Sequence, residues 1–249
     1  MTDSLINFYE HPKVKKFMKD LPDHQVEKTG MPLSKPHILV CGSTGSGKSQ
    51  FLVNYIYRTS NTFHKIYMIV EKIEPLVQYL KDELKDALIV LHGLDDLPQI
   101  NHFQDGSLQK DPKRYLLVFD DQIVNLMRSK ANQAKVNDYF MYGRNKLIQT
   151  LFLTQSYYAV PKFIRLNVSF TILCSIRSKR DLNMILQEYN VSDINSEEMY
   201  RIWDYCSTAD KGEPFSFMKI ATFHVPINKK ISKNFLQYIK VNEFEDDEK

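Results

Sequence analysis

The sequence predicts an α/β fold with a mostly parallel β-sheet that is covered by helices on both faces. Short apolar runs alternate with amphipathic segments from residue 36 to about residue 176. These runs are apolar throughout, which is typical of parallel strands buried on both faces. Some of them end at a glycine or at acidic residues, where sheets of this kind bind ligands.

The predicted elements follow one another in a regular order. The first strand, PHILVC (36–41), leads through a glycine-rich loop into the helix SQFLVNYIYR (49–58). The alternation then continues through strand KIYMIV (65–70), helix EPLVQYLKDELKD (74–86), strand ALIVLHG (87–93), strand YLLVFDD (115–121), a long helix over 123–141, strand QTLFLTQ (149–155) and strand VSFTILCSI (168–176). Beyond residue 179, helical segments surround one strand-like stretch, FSFMKIATF (215–223).

The length and composition of the chain suit one large domain. The chain has 249 residues, of which 43% are hydrophobic and 25% are charged. We expect an amino-terminal arm (1–35), a core domain (36–225) and a carboxyl-terminal segment (226–249) that ends in the acidic tail EFEDDEK. No apolar run approaches the roughly 18 residues of a membrane helix, and no signal-peptide pattern is present. The three cysteines are scattered without metal-ligand spacing, which indicates a reducing, cytosolic compartment.

The glycine-rich loop between the first strand and the first helix has the spacing of a phosphate-binding loop, G-x-x-x-x-G-K-[ST]. Glycines let backbone N–H groups approach phosphate oxygens, and the helix N-terminus adds partial positive charge. The lysine of this pattern reaches the β- and γ-phosphates and the serine ligates Mg²⁺. The pattern therefore predicts ATP and Mg²⁺ as ligands. The residues predicted to bind the nucleotide are Gly42, Ser43, Thr44, Gly45, Ser46, Gly47, Lys48, Ser49 and Gln50.

Two acidic residues end the apolar strand YLLVFDD. Asp120 stands where a carboxylate would hold Mg²⁺ together with Ser49. Asp121, one position later, could deprotonate the attacking water. The alternative is that Asp121 caps the following helix, a common role for aspartate.

The strand QTLFLTQ contributes a further polar group at its carboxyl end. Gln155 could hydrogen-bond the γ-phosphate or the water without adding charge. The alternative is a polar residue that only closes the strand. The histidines show no zinc spacing, so we expect no metal other than Mg²⁺.

These motifs together resemble the viral DNA-packaging ATPases of the FtsK/HerA superfamily, in the poxvirus-like branch of large DNA viruses and virophages. The matching segments are LVCGSTGSGKSQFL, LLVFDDQ and, most tellingly, YGRNKLIQTLFLTQSYYAVPKFIRLN. The resemblance covers roughly residues 36–176. It implies a P-loop fold of the ASCE type, in which the strand bearing Gln155 lies between the phosphate-loop strand and the Asp120 strand.

The resemblance also implies how such a protein works. Family members form rings, hexamers or pentamers, that drive double-stranded DNA into a capsid, and an arginine of one subunit completes the neighbour's ATP site. Arg144 resembles that arginine, and Arg165 is the alternative. Capsid or portal proteins are the further expected partners. The implied location is the viral factory in the host cytoplasm, where the protein could also associate with the virion.

Basic residues that could contact the DNA backbone occur in several clusters. Arg128, Lys130 and Lys135 follow the acidic pair along the chain, where a segment could move with hydrolysis. Other clusters are RSKR (177–180), HPKVKK (11–16) and INKKISK (227–233). The simpler interpretation of any one cluster is a solvated helix face.

Three other functions remain compatible with these motifs. A small-molecule or nucleoside kinase also uses a phosphate loop but needs an acceptor pocket and a lid. A capsid-associated structural protein would bind nucleotide with little hydrolysis. A helicase of the same superfamily would separate strands rather than translocate a duplex.

Overall fold

The structure is a computed structural model that describes residues 12–15, 26–106, 110–189 and 194–240. The acidic tail (243–249), the two ends of the HPKVKK stretch and most of the predicted amino-terminal arm lie outside these residues. Among the described residues, no helix is long and apolar enough to cross a membrane. Cys41, Cys174 and Cys206 are all buried and carry no disulfide.

A nine-stranded sheet organises the molecule, and its strands have the order β3-β2-β4-β5-β1-β6-β7-β8-β9. The strand bounds are His37–Cys41 (β1), Lys65–Ile69 (β2), Leu88–Leu91 (β3), Tyr115–Asp120 (β4), Ile148–Thr154 (β5), Phe170–Leu173 (β6), Met218–Ala221 (β7), Ile231–Lys233 (β8) and Gln237–Tyr238 (β9). Strands β1 to β6 run parallel, and β7 to β9 extend the sheet antiparallel. The predicted α/β fold is therefore confirmed.

The strand order places β5 between β4 and β1, as the family resemblance implied. Cys41 pairs with Thr154, and Asp120 pairs with Leu153. The phosphate loop, the acidic pair and Gln155 therefore all lie at the carboxyl ends of neighbouring parallel strands. Strands β8 and β9 belong to the same sheet, so the domain boundary predicted at residues 225 and 226 falls between strands that share it.

Helices cover both faces of this sheet. Their bounds are Pro12–Lys15 (α1), Val26–Thr29 (α2), Lys48–Arg58 (α3), Pro75–Leu84 (α4), Ile123–Arg128 (α5), Lys130–Tyr142 (α6), Lys162–Asn167 (α7), Lys179–Glu188 (α8) and Ser196–Ser207 (α9). Successive residues of β1 face opposite sides, as the pleat requires. Ile38 and Val40 join a core with α3 and α4, whereas Leu39 and Cys41 join a core with α5 to α9.

The single helix predicted over 123–141 is wrong, because the structure has two helices with a break at Ser129. Ser129 adopts extended backbone angles (φ −129°, ψ 116°), and its side chain accepts a hydrogen bond from the Asn132 amide. Serine in this role caps the start of a new helix. The break separates α5, which follows the acidic pair, from α6.

Candidate functional site

The glycine-rich loop between β1 and α3 has a backbone shape that requires its glycines. Gly47 immediately precedes α3 with a φ of 98°, a left-handed conformation that other residues rarely adopt. A Cβ at Gly42 would lie only 2.3 Å from Ser46 Oγ and 2.7 Å from Cys174 Cβ. Larger residues at these two positions would therefore deform the loop.

Lys48 is the first residue of α3 and folds back over the loop. Its Nζ donates hydrogen bonds to the carbonyl oxygens of Gly42 (2.9 Å) and Ser43 (3.3 Å), and the side chain is buried. The same two residues donate their amides to Thr154 O (3.1 Å) and Ser175 O (3.0 Å). The loop is thus fixed to its neighbouring strands, with an ammonium group held where phosphate oxygens would compete for it.

Asp120, at the end of β4, is half-buried in an acidic environment. Burial, and after it the charges of Asp121 and Glu74, raise the pKa of its carboxyl group to about 6, while Lys48 opposes them. A divalent cation would relieve this unfavourable charge, because carboxylate and hydroxyl oxygens are the ligands that Mg²⁺ prefers. The half-buried Ser49 in the first turn of α3 offers the hydroxyl of the predicted pair.

Gln155 joins the phosphate loop to the second acid. Thr44 Oγ1 donates to Gln155 Oε1 (2.9 Å), and Gln155 Nε2 donates to Asp121 Oδ2 (2.7 Å). The amide is therefore held in one orientation by a hydroxyl on one side and a carboxylate on the other. The sequence indicated Gln155 and Asp121 separately, but the part of Thr44 emerges only from the strand order.

Asp121 does not cap α5. The helix begins at Ile123 with Gln122 at its N-cap, and no side chain accepts a capping hydrogen bond there. The Asp121 carboxylate instead accepts the bond from Gln155, and its backbone has a φ of 49°, which is rare for a residue with a Cβ. Such backbone strain is commonly found at functional sites.

Gln122 is a residue of the site that sequence reasoning missed. It is fully buried, and its Nε2 donates to the Asp120 carbonyl oxygen (3.0 Å) while its Oε1 accepts from Asn125 Nδ2 (3.2 Å). Asn125 Nδ2 also contacts Glu71 Oε1 (3.1 Å). These bonds support the sharp turn that carries the two aspartates. The only sequence signal was a glutamine directly after the acidic pair.

The two candidate arginines occupy very different environments. Arg144 is exposed in a short 3-10 helix (Gly143–Lys146) that precedes β5. Arg144 precedes β5 and Gln155 follows it, so the two residues lie at opposite ends of a strand whose seven residues span about 20 Å. Arg165 donates to both carboxylate oxygens of Glu188 (2.7 and 2.5 Å) and stacks over the rings of Tyr157 and Tyr158. Arg165 is thus engaged within its own chain.

The three predicted DNA-contacting residues also differ from one another. Arg128 and Lys130 are exposed at the break between α5 and α6. Lys135 Nζ donates to the carbonyl oxygens of Leu94 (3.1 Å), Asp95 (3.3 Å) and Leu97 (3.1 Å). These bonds make Lys135 an anchor for the loop after β3.

Solved structures share this fold at low sequence identity. B204, the DNA-packaging ATPase from Sulfolobus Turreted Icosahedral Virus, matches with a TM-score of 0.54 and 12% identity, over 80% of this chain and 97% of its own. The genome packaging NTPase B204 of Sulfolobus turreted icosahedral virus 2, in complex with ATP-γS, matches with a TM-score of 0.53 and 13% identity, over 81% and 97%. The type VII secretion ATPase EccC of Thermomonospora curvata has a TM-score of 0.55 and 13% identity, over 83% and 26%. These similarities confirm the P-loop fold.

The family resemblance is confirmed by sequence as well. No curated protein sequence matches the chain. A family model of the Poxvirus A32 protein, however, matches residues 28–212, which include the phosphate loop, both aspartates and Gln155. The match spans well over half of the chain, so this protein belongs to the poxvirus A32 protein family.

Proposed function

We propose that this protein is an ATP-hydrolysing ring motor that moves double-stranded viral DNA into a capsid. The hydrogen-bonded chain from Thr44 through Gln155 to Asp121 carries the proposal, because it links the phosphate loop to a carboxylate suited to activating water. Membership of the poxvirus A32 family supports the same function. The fold shared with B204, a DNA-packaging ATPase, supports it too.

In this proposal the loop of residues 42–49 binds the triphosphate through its backbone amides. The N-terminus of α3 adds favourable partial charge at the same place. Lys48 exchanges its bonds to the Gly42 and Ser43 carbonyl oxygens for bonds to the β- and γ-phosphates. The loop shape is already formed, so binding requires little reorganisation.

Ser49 and Asp120 are the residues that would hold Mg²⁺. The half-buried hydroxyl and the carboxylate with a raised pKa form a donor set that suits this cation. When bound, Mg²⁺ neutralises charge on the phosphate oxygens. Gln122 keeps the backbone of Asp120 in place through its bond to the carbonyl oxygen.

Asp121 and Gln155 act on the attacking water. The Asp121 carboxylate accepts the proton of the water as it attacks the γ-phosphorus. Gln155 lies 2.7 Å from that carboxylate and orients the water without adding charge. Thr44 holds the glutamine amide, which makes it a positioning residue.

Arg144 acts on the site of the neighbouring subunit. It is exposed and lies at the sheet edge opposite its own nucleotide site, so it serves only a site in trans. A guanidinium group binds phosphate oxygens bidentately and keeps its charge at all relevant pH values. Arg165 is unsuited to this role because Glu188 already holds it.

DNA passes through the centre of the ring and is contacted through its phosphates. Arg128 and Lys130 are the proposed contacts, since both are exposed next to the strained turn that carries Asp121. The ring, a hexamer or a pentamer, docks on a capsid or portal protein at the viral factory in the host cytoplasm. Contacts to phosphates position a protein on DNA without reading its sequence directly.

The first test is steady-state ATP hydrolysis with and without double-stranded DNA, across a titration of protein concentration. We expect a rate that rises with DNA and steeply with protein concentration. Arg144→Ala should lower the rate by a factor of about 10³ or more. The control is Arg201→Ala, which removes an exposed arginine that pairs with Glu197 within α9.

Mixing two inactive variants tests the shared site directly. Lys48→Ala subunits still offer Arg144, and Arg144→Ala subunits still offer an intact loop, so a mixture should regain part of the activity. A mixture that stays inactive would overturn the role in trans. A rate indifferent to DNA, or transfer of the γ-phosphate to a small acceptor, would overturn the motor in favour of the structural or kinase function.

A further inference from the structure

A cavity of about 520 Å³ adjoins the phosphate loop, and the mechanism above assigns no part of the ligand to the cavity residues outside the loop. One wall is the loop itself, residues 45–50. The segment between α9 and β7 also lines the cavity, through Ala209, Pro214 and Phe215. Leu76 of α4 closes one side. The volume lies within the range of roughly 300–1,000 Å³ that holds small organic ligands.

Phe215 is the largest side chain that the segment between α9 and β7 contributes to the cavity. A Cβ placed on Gly47 would lie 3.1 Å from Phe215 Cβ and Cδ2, so the side chain touches the phosphate loop. Its ring stacks on Phe217 with centroids 6.2 Å apart and an interplanar angle of 20°. Phe217 is buried and meets Phe51 of α3 edge-on at 5.0 Å. This aromatic row, which runs from the core to the cavity, fixes the orientation of the half-buried Phe215 ring.

The chemistry of the cavity suits a flat, apolar group that is joined to phosphates. Among the residues that the structure describes, Lys48 of the loop is the only charged one that lines the cavity. Ala209, Pro214 and Phe215 offer apolar surface. Two lining hydroxyls already donate hydrogen bonds within the protein: Ser216 Oγ donates to Cys206 O (2.6 Å), and Ser207 Oγ donates to Asp204 O (3.3 Å). A ligand whose phosphates bind the loop amides could therefore place an apolar group against Phe215.

We propose that this cavity is the nucleobase subsite and that Phe215 is the residue on which the base stacks. The inference rests on the proposed function for the phosphate half of the ligand. Stacking of a base on an aromatic side chain is favourable and tolerant of base identity, because every base has a π-face. Contact of Phe215 with Gly47 then couples the base to the shape of the phosphate loop.

Binding of two ligands by calorimetry, in the absence of DNA, tests the subsite. ATP-γS carries a base, whereas inorganic tripolyphosphate carries phosphates alone. In Phe215→Leu, which keeps an apolar side chain against Gly47, we expect the Kd for ATP-γS to rise about ten-fold. The Kd for tripolyphosphate should stay within about two-fold of the wild type. Phe215→Tyr should restore ATP-γS binding.

Two controls make the outcome decisive. Phe63→Leu changes another half-buried aromatic residue, remote from the loop, and should alter neither Kd. Lys48→Ala should weaken both ligands. An equal loss of both ligands in Phe215→Leu would overturn the proposal, because Phe215 would then act only through Gly47, and an unchanged Kd for ATP-γS would overturn it too. A protein that passes this test but ignores DNA would refute the motor and leave the base subsite standing.

Discussion

Burial shifts the pKa values of two charged residues in opposite directions. Asp120 lies at the carboxyl ends of the parallel strands, which we call the nucleotide edge, and Lys219 lies in the antiparallel strand β7. Burial raises the pKa of Asp120 to about 6 and lowers the pKa of Lys219 to about 7. Lys219 Nζ donates to Thr29 O (3.0 Å) and to Phe235 O and lies over the ring of Tyr238. Its donors are thus satisfied by the fold, whereas the neighbours of Asp120 include the acidic residues Asp121 and Glu74.

The difference shows what each region is for. Lys219 connects the last residue of α2 to the segment between β8 and β9, so its hydrogen bonds join distant parts of the chain. The charged form of Asp120 is disfavoured, and the proposed Mg²⁺ would relieve this. Desolvation acts on both groups, but Lys219 has hydrogen-bond partners within the fold, whereas Asp120 faces like charges that suit the proposed role in binding a cation.

The largest effect should come from replacing Asp120 by asparagine. A carboxyl group with a raised pKa contributes stability below pH 4, and this contribution is lost as the pH rises through 6. At pH 7.5 the asparagine variant should therefore unfold with a free energy about 1–2 kcal/mol higher than that of the wild type. Its ATP hydrolysis should fall by a factor of about 10² to 10³. Urea unfolding without ligand and steady-state rates measure the two quantities.

Asp138→Asn is the matched control, since it changes another half-buried aspartate, on α6. It should gain neither stability nor a defect in hydrolysis. A less stable Asp120→Asn protein would contradict the idea that this carboxylate is held unfavourably for a ligand.

The second prediction concerns Lys219. Because its pKa is lowered to about 7 in the folded state, the unfolded chain holds more protons above that pH, and stability rises with pH. Between pH 7 and 8.5 the free energy of unfolding should rise by up to about 1.4 kcal/mol per pH unit. Lys219→Met should remove this slope, as measured by urea unfolding at the two pH values. The exposed Lys229→Met should keep it, and a wild-type protein with flat stability over this range would refute the account.

The smallest effect tests how far the nucleotide edge is preorganised. Thr44→Val removes the hydroxyl that holds Gln155, and kcat should fall about ten-fold while the Kd for ATP stays nearly constant. Since Thr44 is exposed, the free energy of unfolding should change by less than about 0.5 kcal/mol. Thr44→Ser keeps the hydroxyl and should retain most of the activity. Equal kcat values for the two variants would show that the hydroxyl does not position Gln155.

The sequence predicted the elements of the parallel sheet well, because its buried strands are continuous apolar runs. It could not predict their order from the residues, since one buried strand reads like another. The position of β5 came from the family resemblance, and the bond between Thr44 and Gln155 depends on that position. Local patterns therefore indicated the candidate site residues, while the topology decided how they meet.

Elsewhere the local signals were ambiguous for physical reasons. The apolar spacing of 123–141 continues across Ser129, so periodicity alone does not reveal the helix break. A basic residue in a helix reads as a surface charge, yet Lys135 bonds three carbonyl oxygens of a distant loop. Arg165 and Arg144 are equally cationic in the sequence, and only the structure shows that Arg165 contacts Glu188 while Arg144 is exposed.

The central position of β1 has a consequence for synthesis of the chain. This strand, which precedes the phosphate loop, pairs only with β5 and β6, and His37 finds Thr150 113 positions later. Such non-local pairing is slow, because a long loop must close before its contacts form. On a ribosome the phosphate loop would emerge early and wait, without a sheet beside it, until β5 and β6 had been made. Nucleotide affinity should consequently appear late and abruptly in nascent chains, once residue 173 has left the exit tunnel.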